Sequence, residues 1–284
     1  MKMRRLVIAG ATALAVGGGL GMAPAAAQAS SAATPTWTKL TPAPRPSGRA
    51  GAVMVYDAAT STDVLFGGYT KDAARFDDTW TWDGTTWTQQ HPAVHPPALE
   101  NPSAAYDAAT GTVVLFGGYS NAGHPVRQTW TWDGTTWTQQ HPAASPTARF
   151  NASMDYDAAT GNVVLFGGLN YQGTKPIYYG DTWTWDGATW TKQHPAASPS
   201  ARIAASMTYD AATSTVVLFG GGGRLVPREF QTWTWDGTTW TQQDPATSPT
   251  TREVAAMAYD AATGNVVLFG GYRNGYVSDT WTWG

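Results

Sequence analysis

Tyr156-Asp-Ala-Ala-Thr-Gly-Asn-Val-Val-Leu-Phe-Gly-Gly168 is the stretch on which the fold of this chain turns. It is followed by Asp181-Thr-Trp-Thr-Trp-Asp-Gly187 and Thr189-Trp-Thr191. The Tyr-Asp-Ala-Ala-Thr element recurs at Tyr56, Tyr106, Tyr156, Tyr209 and Tyr259, in steps of 50, 50, 53 and 50 residues. The glycine pair follows in register as Gly67-Gly68, Gly117-Gly118, Gly167-Gly168, Gly220-Gly221 and Gly270-Gly271. A unit of this size has only four short apolar stretches and no core of its own. Each unit must therefore be a small sheet that buries its faces against its neighbours.

Four strands can be placed in a unit. Strand a ends at the tyrosine, as in Ala50 to Tyr56, and the Asp-Ala-Ala-Thr-Gly segment makes a tight connection in which the Asp caps its own backbone. Strand b, such as Val113-Val-Leu-Phe116, is apolar at consecutive positions, the pattern of a strand buried on both faces. Strand c is Thr79-Trp-Thr-Trp82 and strand d is Thr86-Trp-Thr88. Asp83-Gly84 between them reads as a two-residue type I′ turn. That register sets Trp80 across from Trp87, Trp130 across from Trp137, Trp183 across from Trp190 and Trp233 across from Trp240. These tryptophans are expected in the core or between sheets.

The two ends complement each other. The last unit stops at Gly284 after strand c, Asp279-Thr-Trp-Thr-Trp283, while Thr36-Trp-Thr38 precedes the first unit as a strand d without a sheet. The expectation is a ring closed by the N-terminal strand, with Trp37 facing Trp281.

An apolar run ending in a glycine pair, a variable loop, a downstream Trp in a strand and an Arg element opening the next unit resemble the kelch repeat. The downstream Trp residues are Trp80, Trp130, Trp183, Trp233 and Trp281, and the Arg element is Arg49, Arg149, Arg202 and Arg252. The resemblance covers Thr36 to Gly284 and implies an all-β, five-bladed β-propeller of the galactose oxidase/kelch-like superfamily, with four antiparallel strands per blade. Leu99 departs from the pattern where the second unit should carry Arg. The superfamily's copper radical oxidases imply a cysteine cross-linked to a tyrosine, and this chain has no cysteine. The superfamily's sialic-acid mutarotases leave a sugar-active enzyme as the alternative function.

Residues 1–29 read as a secretory signal: a basic start, Met1-Lys-Met-Arg-Arg5, an apolar run and a small-x-small site at Ala27-Gln28-Ala29. Residues 30–35 read as a flexible leader and residues 36–284 as one propeller. Without cysteine, disulfides and thiolate metal sites are excluded. Removing Lys2, Arg4 and Arg5 leaves 14 basic residues against 20 acidic ones, a formal charge of −6. Such a balance argues against nucleic acid or an anionic membrane as a general partner. No membrane insertion is expected once the signal is removed.

In an up-and-down blade the a–b and c–d turns share one face and are nearly identical, so that face reads as scaffold. The b–c connections share the other face and are unequal: 10, 10, 13, 10 and 8 residues. They carry the candidate binding residues Tyr69, Lys71, Arg75, Tyr119, His124, Arg127, Tyr171, Tyr178, Tyr179, Arg224, Arg228, Tyr272 and Arg273. Aromatics beside polar and basic groups suit a sugar or a polar peptide, and loops on a rigid scaffold are the usual place for binding. Arg49, Arg149, Arg202 and Arg252 are placed around the mouth of the channel. They suit carboxylates or phosphates, or the joining of neighbouring blades. Glu100, Glu253, Asn101 and Asn151 break the symmetry there, and the two glutamates offer a general acid and base pair. His91, His141 and His194 recur after strand d, too far apart for one metal. No nucleotide-loop, HExxH or calcium-hand motif is present. The sequence thus points to a secreted, monomeric, non-catalytic module for an extracellular carbohydrate or protein, with no cofactor and no metal.

Overall fold

Strand b explains the architecture, because its consecutive apolar residues face two different neighbours. Val113 and Leu115 pack with Val64 and Phe66 of the preceding unit, whereas Val114 and Phe116 pack with Val163 and Leu165 of the following one. The pattern repeats one unit later, where Val164 and Phe166 meet Val216 and Leu218. The apolar core therefore lies between sheets and not within one. The structure is a computed structural model that describes residues 39–72, 74–223 and 227–284.

Each unit is one antiparallel sheet with its strands in chain order. Blade 1 has strands a to d at Ala50–Asp57, Thr62–Tyr69, Thr79–Trp82 and Trp87–Gln90. Blade 2 has Ser103–Asp107, Thr112–Phe116, Thr129–Trp132 and Trp137–Gln140. Blade 3 has Ser153–Asp157, Asn162–Phe166, Thr182–Trp185 and Trp190–Lys192. Blade 4 has Ser206–Asp210, Thr215–Phe219, Thr232–Trp235 and Trp240–Gln243. Blade 5 has strands a to c, Ala256–Asp260, Asn265–Phe269 and Thr280–Trp283. Strand a of each of blades 1 to 4 packs on strand a of the following blade. The result is an all-β, five-bladed propeller with mostly four-stranded antiparallel blades. Among the described residues no helix is long and apolar enough to cross a membrane. The signal, the leader, Trp37 and Arg224 lie outside the described residues.

The tryptophan register differs from the sequence expectation. Trp82 pairs with Trp87, Trp132 with Trp137, Trp185 with Trp190 and Trp235 with Trp240, whereas Trp80 faces Gln89. Trp130, Trp183 and Trp233 likewise face Gln139, Lys192 and Gln242. The cause is a turn displaced by one residue. Its central pair is Gly84-Thr85, with Gly84 at φ +94°, and Asp83 stands before it. A glycine with positive φ at the first central position is the type II′ pattern. The Asp83 carboxylate accepts from the backbone N–H of Thr85 and Thr86 and from both hydroxyls, which anchors the displaced turn. At the a–b connection Asp57 Oδ1 accepts from the N–H of Ala59 and Thr60, as the sequence implies.

A backbone ladder joins the inner edges of the blades. Asn101 N donates to Gly51 O, Asn151 N to Asn101 O, Ala204 N to Asn151 O and Val254 N to Ala204 O, at 2.8–3.2 Å. All five residues have φ between +48° and +63°. Glycine and asparagine enter this left-handed region most readily. The broken symmetry at Asn101 and Asn151 therefore has a backbone cause.

Candidate binding surface on the unequal loops

The arginine series closes blades 1, 3, 4 and 5 on themselves. Arg149 is buried; its Nη1 donates to the Gly167 carbonyl at 2.9 Å and to Asp181 Oδ1 at 2.6 Å. Its Nε and Nη2 donate to the carbonyl and hydroxyl of Thr147, and its guanidinium lies 4.0 Å from the centre of the Tyr179 ring. Arg49 repeats this with Gly67, Asp78 and the Phe76 ring, and Arg252 with Gly270 and Asp279. The same carboxylates accept from the indoles of Trp80, Trp183 and Trp281. Arg202 meets the amide of Gln231 instead, at 3.2 Å; in blade 2 the position is the buried Leu99, and Gln128 Oε1 accepts from the Trp130 indole. The sequence offers these arginines two roles, a ligand group at the channel mouth or a structural link between blades through carbonyls or an Asp. Arg149, Arg202 and Arg252 are enclosed, each 1% exposed, and their donors are engaged in structural bonds that lie within the blade rather than between blades.

The electrostatics follow from that enclosure. Burial pushes the Asp78 and Asp181 carboxyls upward, but the bonds from Arg49 and Arg149, with those from Trp80 and Trp183, outweigh it. Both lie below the ordinary carboxylate value. The Arg252 bond, followed by that of Trp281, holds Asp279 well below it too. Arg202, without a carboxylate in its clamp, is lowered to about 10 by burial, against a smaller opposing pull from Glu229.

The unequal b–c connections build the open surface. Tyr119 stands edge-on to Phe150 at 5.4 Å and to Tyr171 at 6.5 Å, and Phe150 stacks on Tyr171 at 6.1 Å. Phe150 is the buried floor of this group and Tyr171 its exposed edge, at 42%. Arg75 reaches across from blade 1; its Nε lies 3.2 Å from Glu100 Oε2 and its guanidinium 5.0 Å from the centre of the Tyr119 ring. A pocket beside the cluster is lined by Tyr119, His124, Pro125, Tyr171 and Thr174. In the third connection the extra residues form a hairpin, Leu169–Gln172 with Lys175–Tyr178, where an unpaired loop was expected. Gly173 at φ +61° opens its turn, so Gln172-Gly173-Thr174-Lys175 carried the signal that would have found it.

The remaining candidates spread over the same connections. Arg228 pairs with Glu253 at 3.4 Å and lies 5.4 Å from the Tyr272 ring centre. Glu100 and Glu253 are thus each held by an arginine from the preceding blade. Tyr178 lies against Gly223, where a Cβ would collide with its ring, and Tyr69 lies against Gly51. Lys71, His124, Arg127 and Arg273 are exposed. His95 and His124 each direct Nδ1 at the carbonyl of the next proline, which fixes that nitrogen as the donor. Among the described residues no three His, Cys, Asp or Glu side chains gather as a metal site. Phe150 was missed as a surface-building residue, because in the sequence it looks like one more apolar residue beside an Arg.

No curated protein matches the chain. The model of the KLHDC2/KLHL20/DRC7 Kelch-repeats domain matches residues 5–186. That span covers more than half of the sequence and coincides with the glycine pairs and downstream tryptophans of blades 1 to 3 and with the arginine clamps of blades 1 and 3. This chain therefore belongs to the kelch-repeat family.

Proposed function

We propose that this protein is a secreted, non-catalytic binding module that takes an extracellular carbohydrate or protein on the face built by its b–c connections. The observation that carries the reading is the cluster of Tyr119, Phe150 and Tyr171 beside the Arg75–Glu100 pair. It joins two blades on the face where the units differ, and it is held from below by a buried ring. Aromatic faces next to paired polar groups accept the CH surface and hydroxyls of a sugar, or a mixed protein surface. The basic start and the small-x-small site at the N-terminus support export. In the same reading the strand around Trp37 completes the fifth blade.

A glycan array probed with the mature protein, alongside Tyr171→Ala, tests the proposal. Sugar binding is expected, with at least a tenfold loss in the variant, equivalent to about 1.4 kcal/mol. Binding to no sugar would remove the carbohydrate version and leave a protein partner. Equal binding by wild type and Tyr171→Ala would move the site away from this cluster.

A further inference from the structure

Two of the junctions between successive blades carry the same three side chains. Between blades 1 and 2 they are Arg75, Glu100 and Tyr119: Arg75 Nε lies 3.2 Å from Glu100 Oε2, and the guanidinium 5.0 Å from the centre of the Tyr119 ring. Between blades 4 and 5 they are Arg228, Glu253 and Tyr272. Here Arg228 Nη2 lies 3.4 Å from Glu253 Oε1, and the guanidinium 5.4 Å from the Tyr272 ring centre. The positions are equivalent. Each arginine precedes its glutamate by 25 residues. Each glutamate also pairs through its backbone with its tyrosine, Glu100 with Tyr119 and Glu253 with Tyr272. The two junctions in between lack the set: Phe150 pairs with Leu169 and Ile203 with Gly222, and Pro125 and Tyr178 stand at the arginine positions.

The framework does not call for these side chains, because the intervening junctions form the same backbone pairing without them. Nor does the second ion pair add much to stability, with Arg228 and Glu253 33% and 22% exposed. Each set is instead finished by an exposed ring. Tyr171 stands edge-on to Tyr119, and Tyr276, 93% exposed, stands edge-on to Tyr272 at 5.6 Å. Arg228 Nη1 donates to Asn274 Oδ1 at 3.1 Å, which helps to hold the guanidinium beside Tyr272. We propose that Arg228, Glu253, Tyr272 and Tyr276 form a second binding site of the same chemistry as the Tyr119–Tyr171 cluster, and that the protein is bivalent for carbohydrate. The proposal rests on the reading of that cluster as a binding site, and it chooses the ligand class. Two near-identical sites on one chain match a partner that presents one chemical group many times. A glycan chain or a glycan-coated surface does so, whereas the surface of a single protein does not. Each ring takes the CH face of a sugar residue and each ion pair its hydroxyls. Two modest sites then gain by avidity without any new contact.

The full chain, as wild type, Tyr171→Ala, Tyr276→Ala and the double variant, is applied to one glycan array printed at high and at low density. Both tyrosines are exposed, so the substitutions remove contact surface and leave the core untouched. Wild type is expected to bind the dense spots of its sugar at least tenfold more tightly than the sparse ones. Each single variant should lose that gain while keeping sparse-spot binding to within about twofold, the statistical weight of one site in two. The double variant should bind at neither density. If Tyr276→Ala matches wild type at both densities while Tyr171→Ala fails at both, the second site is overturned and the first stands. The converse result would overturn the first cluster and the bivalency with it. Binding of no sugar by any of the four proteins would overturn the carbohydrate reading of both sites.

Discussion

Arg149 shows how one residue type can look like a ligand group in sequence and act as a clamp in the fold. Its recurrence in four of five units is plain in the sequence. Its partner is not, because Asp181 lies 32 residues away, beyond an unequal connection. The same separation is 29 residues for Asp78 and 27 for Asp279, so no fixed spacing exposes the pair. The chain itself contains the alternatives: an arginine with an amide at Arg202 and Gln231, and a leucine with an amide at Leu99 and Gln128. Asp181→Gln alone leaves the buried Arg149 without a carboxylate, and should cost about 3 kcal/mol in urea unfolding at pH 7. Adding Arg149→Leu reproduces the blade 2 arrangement and should bring stability back to within about 1 kcal/mol of wild type. The pH sign follows from the lowered Asp181 pKa. The wild-type advantage over Asp181→Gln is complete above the unfolded carboxylate value of about 4. It is lost as pH falls through the lower folded value. An unchanged gap between the two proteins below pH 3 would show that the carboxylate charge is not what holds Arg149.

The strands, their order and the face of each turn were legible in the repeat, and the register of the c–d hairpin was not. Asp-Gly signals a type I′ turn when both central residues take positive φ. Here only Gly84 does, and the Asp83 carboxylate binds the two N–H groups that follow it. A one-residue displacement follows, and it exchanges which tryptophan of strand c meets strand d. The inner ladder was also hidden, since it consists of backbone N–H and C=O groups joined from blade to blade. Its trace in the sequence is the run Gly51, Asn101, Asn151, Ala204 and Val254, residues graded in their tolerance of a left-handed backbone. Val254 is the poorest fit: β-branched, at φ +51° and 65% exposed. Its side chain has little packing to lose. Val254→Asn should therefore raise stability by about 1 kcal/mol, read as a higher midpoint of thermal or urea unfolding. A fall in the midpoint would mean that the valine side chain contributes more than its backbone conformation costs.

Between blades, the molecule reuses one interface. The consecutive apolar residues of strand b announced burial on both faces, and the structure gives each face its neighbour. What the repeat could not convey is the threonine that receives each indole, because Thr79 and Trp137 are 58 residues apart and belong to different sheets. An assembly in which each sheet touches only the next should behave as a sum of local terms. Trp137→Phe and Trp240→Phe test this. Each substitution keeps a ring beside Phe66 or Phe166, but leaves the hydroxyl of Thr79 or Thr182 without its donor in a buried site. The expected loss is about 1–2 kcal/mol for each. The two sites share no partner, one lying between blades 1 and 2 and the other between blades 3 and 4. The double variant should therefore lose the sum of the single losses to within about 0.5 kcal/mol. A double loss well above that sum would mean that one interface leans on the other through the intervening blades. In that case the molecule would behave as a single mechanical unit, and a ligand at the Tyr119–Tyr171 cluster would be felt at blades it does not touch.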